Sequence, residues 1–310
     1  MKETELNALV RLLDDPDEEI SGMIEQQLLD LGTSVVGKLE LAWEESFNVL
    51  VQQRLESIIH RIQFQTVSEM LAAWVRDGAH DLLEGVLIVN RYQYPDLKKE
   101  HIEKQLDDFA FEIGKQVVED GSNAVSAAEN IRLFNRVFYQ QFKFGGNTSN
   151  YQDPQNSYLN LVLESRKGNQ ISLAIVYSLI ARKLGMPVFG VNLPQHFVLA
   201  YSAAPLSEVI PYEEPVYFYI NAFNKGLIFY NKEIELFLKQ LNLARKAEYY
   251  NPCSNTAIVL RILRNLIGSY GKLGSEEKIN ELSVLLGVLQ ENKPSLDQDV
   301  PESFTPPDGV

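Results

Sequence analysis

The stretch that most constrains the fold of this chain covers residues 156–201, where an apolar helical segment is followed by two strand-like segments. Asn169 is suited to cap a helix that continues to residue 184, and Gly185 followed by Pro187 is the usual signal for a helix end. Apolar residues lie on nearly every side of this helix, so we expect it to be buried. The segments VFGVN and HFVLAYS read as strands. The sequence therefore predicts a buried helix packed beside a small sheet.

Two side chains in this stretch are of types that take part in catalysis. Ser172 falls in the first turn of the predicted buried helix, and His196 opens the second predicted strand. A shorter helix, which we expect Asn156 to cap, precedes them. Each residue also has a structural interpretation, because serine is favoured in the first turn of a helix and a half-buried histidine can bond to a backbone carbonyl.

Composition excludes several classes of partner and cofactor. The net charge of −14 argues against binding to nucleic acid or an anionic membrane. No apolar run approaches the ~18–20 residues of a membrane span, and the N-terminus MKETELNALV lacks a signal-peptide core. One cysteine, Cys253, excludes an internal disulfide, so we expect a cytoplasmic protein. The four histidines have no metal-type spacing, and we expect neither a metal centre nor another cofactor.

The first ~65 residues have the apolar spacing of successive helices. Asp15 is expected to cap one of them, with Pro16 at its first position. The helix pairs resemble HEAT-type repeats, although a plain helical cap is an equal alternative. Because one or two such pairs cannot bury a core alone, we expect residues 1–65 to pack on the next domain.

The pattern stays helical over residues 66–141, and strands return after the central stretch. In VYFYINAF, alternation places Tyr219 and Asn221 on one face of a strand and Phe218 and Ile220 on the other. LIFY is a further strand, and residues 256–289 form two helices that are similar to a tetratricopeptide-type hairpin. Residues 291–310 are rich in proline and poor in apolar side chains, which predicts a disordered tail.

Four segments occur in an order that identifies a family resemblance. These are LLEGVLIVNRYQYPDL, FGGNTSNYQDPQNSYLNLVLESRKGNQISLAIVYSLIARKLGMPVFGVNLPQHFVLAY, INAFNKG and VLRILRNLIGSYGKLG. Over residues 66–290 the chain resembles the SirB-type branch of the transglutaminase-like superfamily. The resemblance implies an α+β, papain-like core at 66–245, in which a helix packs against an antiparallel sheet. It also implies a tetratricopeptide-like hairpin at 246–290.

The superfamily places a Cys, His, Asp or Asn triad where the helix meets the sheet. Carried over to this sequence, the nucleophile position falls on Ser172, the histidine position on His196 and the third position on Asn221. Asn221 can equally be a strand-end or turn residue. The same resemblance makes Asn156, Tyr158, Asn160 and Asn169 candidates for lining a binding groove.

Serine in place of cysteine changes what the triad requires. A cysteine at a helix N-terminus beside an imidazolium is held as a thiolate, whereas a serine must pass its proton to the histidine during attack. The resulting imidazolium needs a carboxylate partner, and replacing that carboxylate by an amide costs a serine protease roughly 10⁴ in turnover. Ser172 with Asn221 therefore combines the weaker nucleophile with the weaker orienting group.

Two functions are consistent with this sequence. The first is a non-catalytic scaffold that binds a protein or peptide partner through its helical segments. The second is a weak hydrolase or acyltransferase in which Ser172 attacks, His196 is the base and Asn221 orients the ring, with Asn156 or Asn160 near the oxyanion. We favour the scaffold, because the Ser/Asn pairing weakens both steps that the chemistry needs. The sequence does not indicate an oligomeric state.

Overall fold

The computed structural model describes residues 3–15, 17–119, 126–202 and 216–292 of the chain. These residues form a helix-rich α+β structure, as predicted. The tail predicted at 291–310 lies outside the described residues from position 293 onward, and so does Pro16. Within the described part, no helix has both the length and the apolar character that crossing a membrane requires.

The N-terminal quarter consists of four α-helices with a hydrophobic cluster of their own, which includes Leu28, Leu39, Leu55 and Ile58. Helix α4 (Val49–Arg76) has no glycine or proline within it, so it continues past residue 65. Asp17, and not Asp15, caps α2, because its side chain accepts from the Glu19 N–H. The four helices are α1 (Glu3–Leu12), α2 (Glu18–Asp30), α3 (Val36–Glu45) and α4 (Val49–Arg76).

The described residues in the middle of the chain form five α-helices and two short parallel bridge strands. A π-helical turn at Arg136–Gln141 and a 3₁₀ turn at Pro154–Ser157 connect some of them. The helices are α5 (Leu82–Arg91), α6 (Lys99–Glu119), α7 (Ala127–Asn135), α8 (Leu159–Ser165) and α9 (Gln170–Lys183). The bridge pairs β1 (Gly145–Gly146) with β2 (Lys167–Gly168).

Among residues 188–202 and 216–292, the main sheet has four antiparallel strands in sequence order, and three α-helices follow it. The strands are β3 (Val188–Val191), β4 (Val198–Ser202), β5 (Val216–Asn221) and β6 (Leu227–Phe229). The helices are α10 (Asn231–Gln240), α11 (Asn255–Leu273) and α12 (Glu276–Glu291). Gly274, with φ +71°, makes the turn between α11 and α12 where a hairpin was predicted.

Helix α9 lies against one face of this sheet, and α10 covers the other. Phe218 and Ile220 join the main core with the side chains of α9, whereas Tyr219 packs with Ile234 and Leu238 of α10. The alternation predicted for β5 is therefore confirmed for these three strand residues. Because side chains of a strand point alternately to its two faces, the apolar run of β5 contributes to both cores.

Candidate functional site

The start of α9 is closed by a capping box between Asn169 and Ser172. The Ser172 N–H donates to Asn169 Oδ1 over 3.0 Å, and the Asn169 N–H donates to Ser172 Oγ over 3.0 Å. This confirms Asn169 as the helix cap. Ser172 is 2% exposed, and its hydroxyl donates to the carbonyl oxygen of Asn156 over 2.6 Å. The Ser172 hydroxyl is thus bonded to the backbone of the 3₁₀ turn at Pro154–Ser157.

Gly168 gives this hydroxyl the space it occupies. A Cβ at Gly168 would lie 2.5 Å from Ser172 Oγ and 3.1 Å from a methyl group of Val162. The close approach of the β2 backbone to α9 therefore requires glycine at this position.

The prediction that Asn156 caps α8 is wrong, because α8 begins at Leu159 and has Tyr158 at its N-cap. The Asn156 side chain instead holds the loop before it. Its amide nitrogen donates to the carbonyl of Asn150 over 2.7 Å, and its oxygen accepts from Asn147 Nδ2 over 2.9 Å. The Asn169 amide likewise donates to Ser157 Oγ over 2.8 Å. These amides form a buried network that positions the first turn of α9.

The other two groove candidates are also buried. Tyr158 is 1% exposed, and its hydroxyl lies 3.2 Å from that of Tyr270 on α11. Burial, followed by the bond to Tyr270, raises the pKa of Tyr158 well above its usual range. The side-chain amides of Asn160 and Asn90 are 3.0 Å apart, which joins α8 to α5. Both residues thus connect helices inside the core.

His196 lies in the loop before β4 and not in the strand, which begins at Val198. A turn in which Gln195 has φ +60° and the His196 N–H donates to the carbonyl of Leu193 precedes it. The His196 ring is half-buried and packs on Phe237 of α10 at 5.0 Å between centroids. Burial, and to a lesser extent the nearby charge of Arg261, lowers the pKa of His196. The ring is therefore neutral at neutral pH.

Two residues near His196 were not singled out from the sequence. Gln170, in the first turn of α9, accepts from the Phe197 N–H over 3.1 Å. This bond joins the loop at residues 192–197, called the histidine loop below, to the start of α9. Arg261 on α11 donates to the carbonyl of Leu193 and to Asn192 Oδ1. Burial lowers the pKa of Arg261 to about 10. No sequence motif marks Arg261, because its partners lie about 70 residues away on another element.

Asn221 ends β5 and organises the turn that follows. Its Oδ1 accepts from the Asn224 N–H over 3.0 Å, and its carbonyl accepts from the Gly226 N–H over 2.9 Å. Among the described residues, no hydrogen bond joins any two of Ser172, His196 and Asn221. The fold thus ties the histidine loop to the helix start, but the three side chains have separate partners.

A cavity of about 500 Å³ opens beside the capping network. Its walls include Asn147, Asn156, Glu164 and Lys167, so carboxylate, ammonium and amide groups all face it. Neither Ser172 nor His196 lines this cavity. Of the predicted groove residues, Asn156 alone is in its wall.

Comparison with known proteins agrees with this architecture. The family model of the transglutaminase-like superfamily matches residues 100–264, which is more than half of the chain, and the chain therefore belongs to that superfamily. It is similar to a UPF0162 protein of Xylella fastidiosa (strain 9a5c), with 29% identity over 73% of this chain and 78% of the relative. A UPF0162 protein of the Temecula1 strain is 31% identical over 64% of this chain and 68% of the relative. No solved structure matches the chain.

A eukaryotic relative shares much of the same region. Human F-box only protein 21 is 28% identical over 74% of this chain, and the match covers 38% of the human protein. More than half of the human protein therefore lies outside the matched region.

Proposed function

We propose that this chain is a SirB-type, non-catalytic member of the transglutaminase-like superfamily that acts as a protein-interaction module. The observation that carries the proposal is the position of the Ser172 hydroxyl, which is buried and bonded to the Asn156 carbonyl at 2.6 Å. A serine nucleophile needs a base within about 2.6–3.2 Å to take its proton. Here the hydroxyl donates to a backbone carbonyl oxygen, which is too weak a base to remove the proton.

Activation of Ser172 would require the first turn of α9 to rearrange. Rotating the hydroxyl away from Asn156 would break the 2.6 Å bond and the bond from the Asn169 N–H, leaving these two backbone groups with the 3.3 Å bond that joins them to each other. Each lost hydrogen bond costs about 0.5–1.5 kcal/mol. The capping function and the nucleophilic function therefore compete for the same oxygen.

The helical segments at residues 1–65 and 246–290 provide the surface for a partner in this proposal. Apolar side chains on and beside the N-terminal helices are exposed, including Met23, Leu41, Phe47 and Val49, with Phe47 wholly in solvent. Phe47, Val49 and Leu50 are exposed and close together in sequence, and in this proposal they belong to the contact surface. We treat these segments as HEAT-like and tetratricopeptide-like flanks of the core at 66–245, whose partner is a protein or peptide.

A thiol variant tests the chemistry of the helix start. In a Cys253→Ser background, Ser172→Cys gives a chain with one thiol, whose pKa is read from the pH dependence of its alkylation. We expect a pKa at or above the ordinary ~8.5, because no imidazolium bonds to this position. A pKa well below 7 would show a poised catalytic site and would contradict the scaffold proposal.

Two observations favour the second candidate function, a weak hydrolase or acyltransferase. The lowered pKa of His196 keeps its ring neutral, as a general base requires, and the Gln170–Phe197 bond holds its loop at the start of α9. In this alternative Ser172 attacks, His196 accepts its proton and Asn221 orients the ring. Labelling of the intact chain by a fluorophosphonate, abolished in both Ser172→Ala and His196→Gln, would establish it and overturn the scaffold. We expect no labelling.

A further inference from the structure

A second cluster of chemically reactive groups lies between the N-terminal helices and the C-terminal hairpin. His60 on α4 and Glu281 on α12 are 221 residues apart in the chain, and His60 Nε2 lies 2.5 Å from Glu281 Oε1. Glu277 lies one turn before Glu281 on the same helix. One ligand atom from each of the three residues can be chosen so that all lie within 4.8 Å of one another.

We propose that His60, Glu277 and Glu281 bind a divalent transition-metal ion, with Zn²⁺ as the expected ion. An imidazole nitrogen with two carboxylates suits zinc, whereas Mg²⁺ and Ca²⁺ prefer sites made of oxygen alone. Histidine spacing had predicted no metal centre. Spacing along the chain does not indicate the proposed site, because its residues come together only when α4 packs against α12.

The distances are compatible with a tetrahedral ion after small side-chain movements. Ligand bonds of about 2.0–2.1 Å place tetrahedral ligand atoms about 3.3 Å apart. The His60–Glu281 contact would have to open from 2.5 Å, and the Glu277 carboxylate, within 4.8 Å of the other two ligand atoms, would have to adjust to the same spacing. Glu277 is exposed, so its side chain is free to make that movement.

Neighbouring groups favour a cation between the two helices. The Tyr92 hydroxyl donates to Glu281 Oε2 over 2.6 Å and thereby orients the carboxylate, as outer-shell partners of metal ligands do. Glu277 and Glu281 lie four residues apart on α12, where their like charges repel. Lys278 places its ammonium over the Tyr92 ring at 4.5 Å and opposes a second cation, but two carboxylates against one ammonium still leave a net negative charge for the ion.

A cavity of about 600 Å³ adjoins the cluster, and both His60 and Glu277 are in its wall. Three protein ligands leave one position of a tetrahedral zinc ion, which a water molecule or a partner side chain from the cavity side would fill. The bound ion would connect α4 to α12 and hold the N-terminal helices against the C-terminal hairpin. This site is independent of the chemistry at Ser172.

Zinc titration of the full chain tests the proposal. The protein is treated with a chelator, exchanged into chelator-free buffer and titrated with Zn²⁺ in competition with a chromophoric chelator. We expect one ion per chain, loss of that binding in His60→Gln and in Glu277→Gln, and binding about 10–100-fold weaker in Tyr92→Phe. Zinc should also raise the Tm of the wild type but not that of Glu277→Gln.

His101→Gln is the matched control, since His101 is an exposed histidine on α6, and it should bind zinc as the wild type does. If His60→Gln fails to fold, Glu277→Gln decides, because it alters an exposed side chain. Absence of stoichiometric binding by the wild type would overturn the proposal. Wild-type affinity in both His60→Gln and Glu277→Gln would do so as well.

Discussion

The hydroxyl oxygen of Ser172 lies 2.6 Å from the carbonyl oxygen of Asn156, 16 residues earlier in the chain. The same hydroxyl accepts from the Asn169 N–H and so completes the cap of α9. One atom thereby closes the helix start and joins it to the turn before α8. The strand-and-helix arrangement of the superfamily is present, but this oxygen has a structural role.

Replacing Ser172 by alanine should therefore destabilise the fold. The variant removes two hydrogen bonds to the hydroxyl, each worth about 0.5–1.5 kcal/mol, and leaves only the 3.3 Å bond from the Asn169 N–H to the Asn156 carbonyl. We expect a loss of about 1–3 kcal/mol. Ser283→Ala is the control, because Ser283 is exposed on α12 and its loss should change stability by less than about 0.5 kcal/mol. Urea unfolding measures both, and equal stability of the two variants would contradict the structural role.

Gly168→Ala and Gly287→Ala should have opposite effects. A methyl group at 168 would overlap Ser172 Oγ at 2.5 Å, and such overpacking costs about 1–3 kcal/mol. Gly287 lies inside α12 with nothing within 4 Å of an added Cβ, so alanine there should stabilise by about 0.5–1 kcal/mol. Thermal unfolding of the pair checks the signs. Stabilisation by Gly168→Ala would show that the helix start has room to relax.

His196 should make the fold less stable in acid. Because its pKa is lowered in the folded state, the unfolded chain binds the proton more tightly. The contribution of the neutral ring is present above the unfolded pKa of about 6.5 and is lost as the pH falls below it. In His196→Gln, the free energy of unfolding should fall less between pH 7.5 and 5 than in the wild type. Identical slopes would contradict this prediction, and an NMR titration of the ring reports its pKa directly.

Lys99 should stabilise the start of α5 at neutral pH. Its ammonium lies 2.9 Å from both Asp81 Oδ2 and Glu84 Oε2. Burial raises the pKa of each carboxyl, but the hydrogen bonds and charge of Lys99, together with backbone N–H groups at Asp81 and Arg91 at Glu84, outweigh it, and both pKa values lie below their usual range. Their contribution is thus present above about pH 4 and is lost in acid.

Lys99→Met should therefore cost about 1 kcal/mol at pH 7, a modest figure because the Asp81 side chain is 53% exposed. The difference from the wild type should shrink toward pH 3. Lys98→Met alters the exposed neighbouring lysine and should be near neutral. A Lys99→Met deficit that is unchanged at pH 3 would indicate lost packing and not lost charge.

Part of the candidate site could be read from the chain because it is local. The Asn169 cap and the helix end at Gly185 depend on residues within a few positions, and the alternation of β5 depends on the two-residue repeat of a strand. The start of β4 was misplaced by two residues. The Phe197 N–H bonds to Gln170 on α9, so a contact from outside the local sequence delays the strand.

The sequence by itself determined the buried helix, its cap and the α+β class, since capping and hydrophobic periodicity act over one or two turns. Only the tertiary structure decided that the Ser172 hydroxyl donates to Asn156, that the His196 ring packs on Phe237 and that Glu281 contacts His60. In each pair the two residues come from different parts of the chain. No local pattern specifies such a contact, because it exists only once the packing of helices and sheet has set their distances and directions.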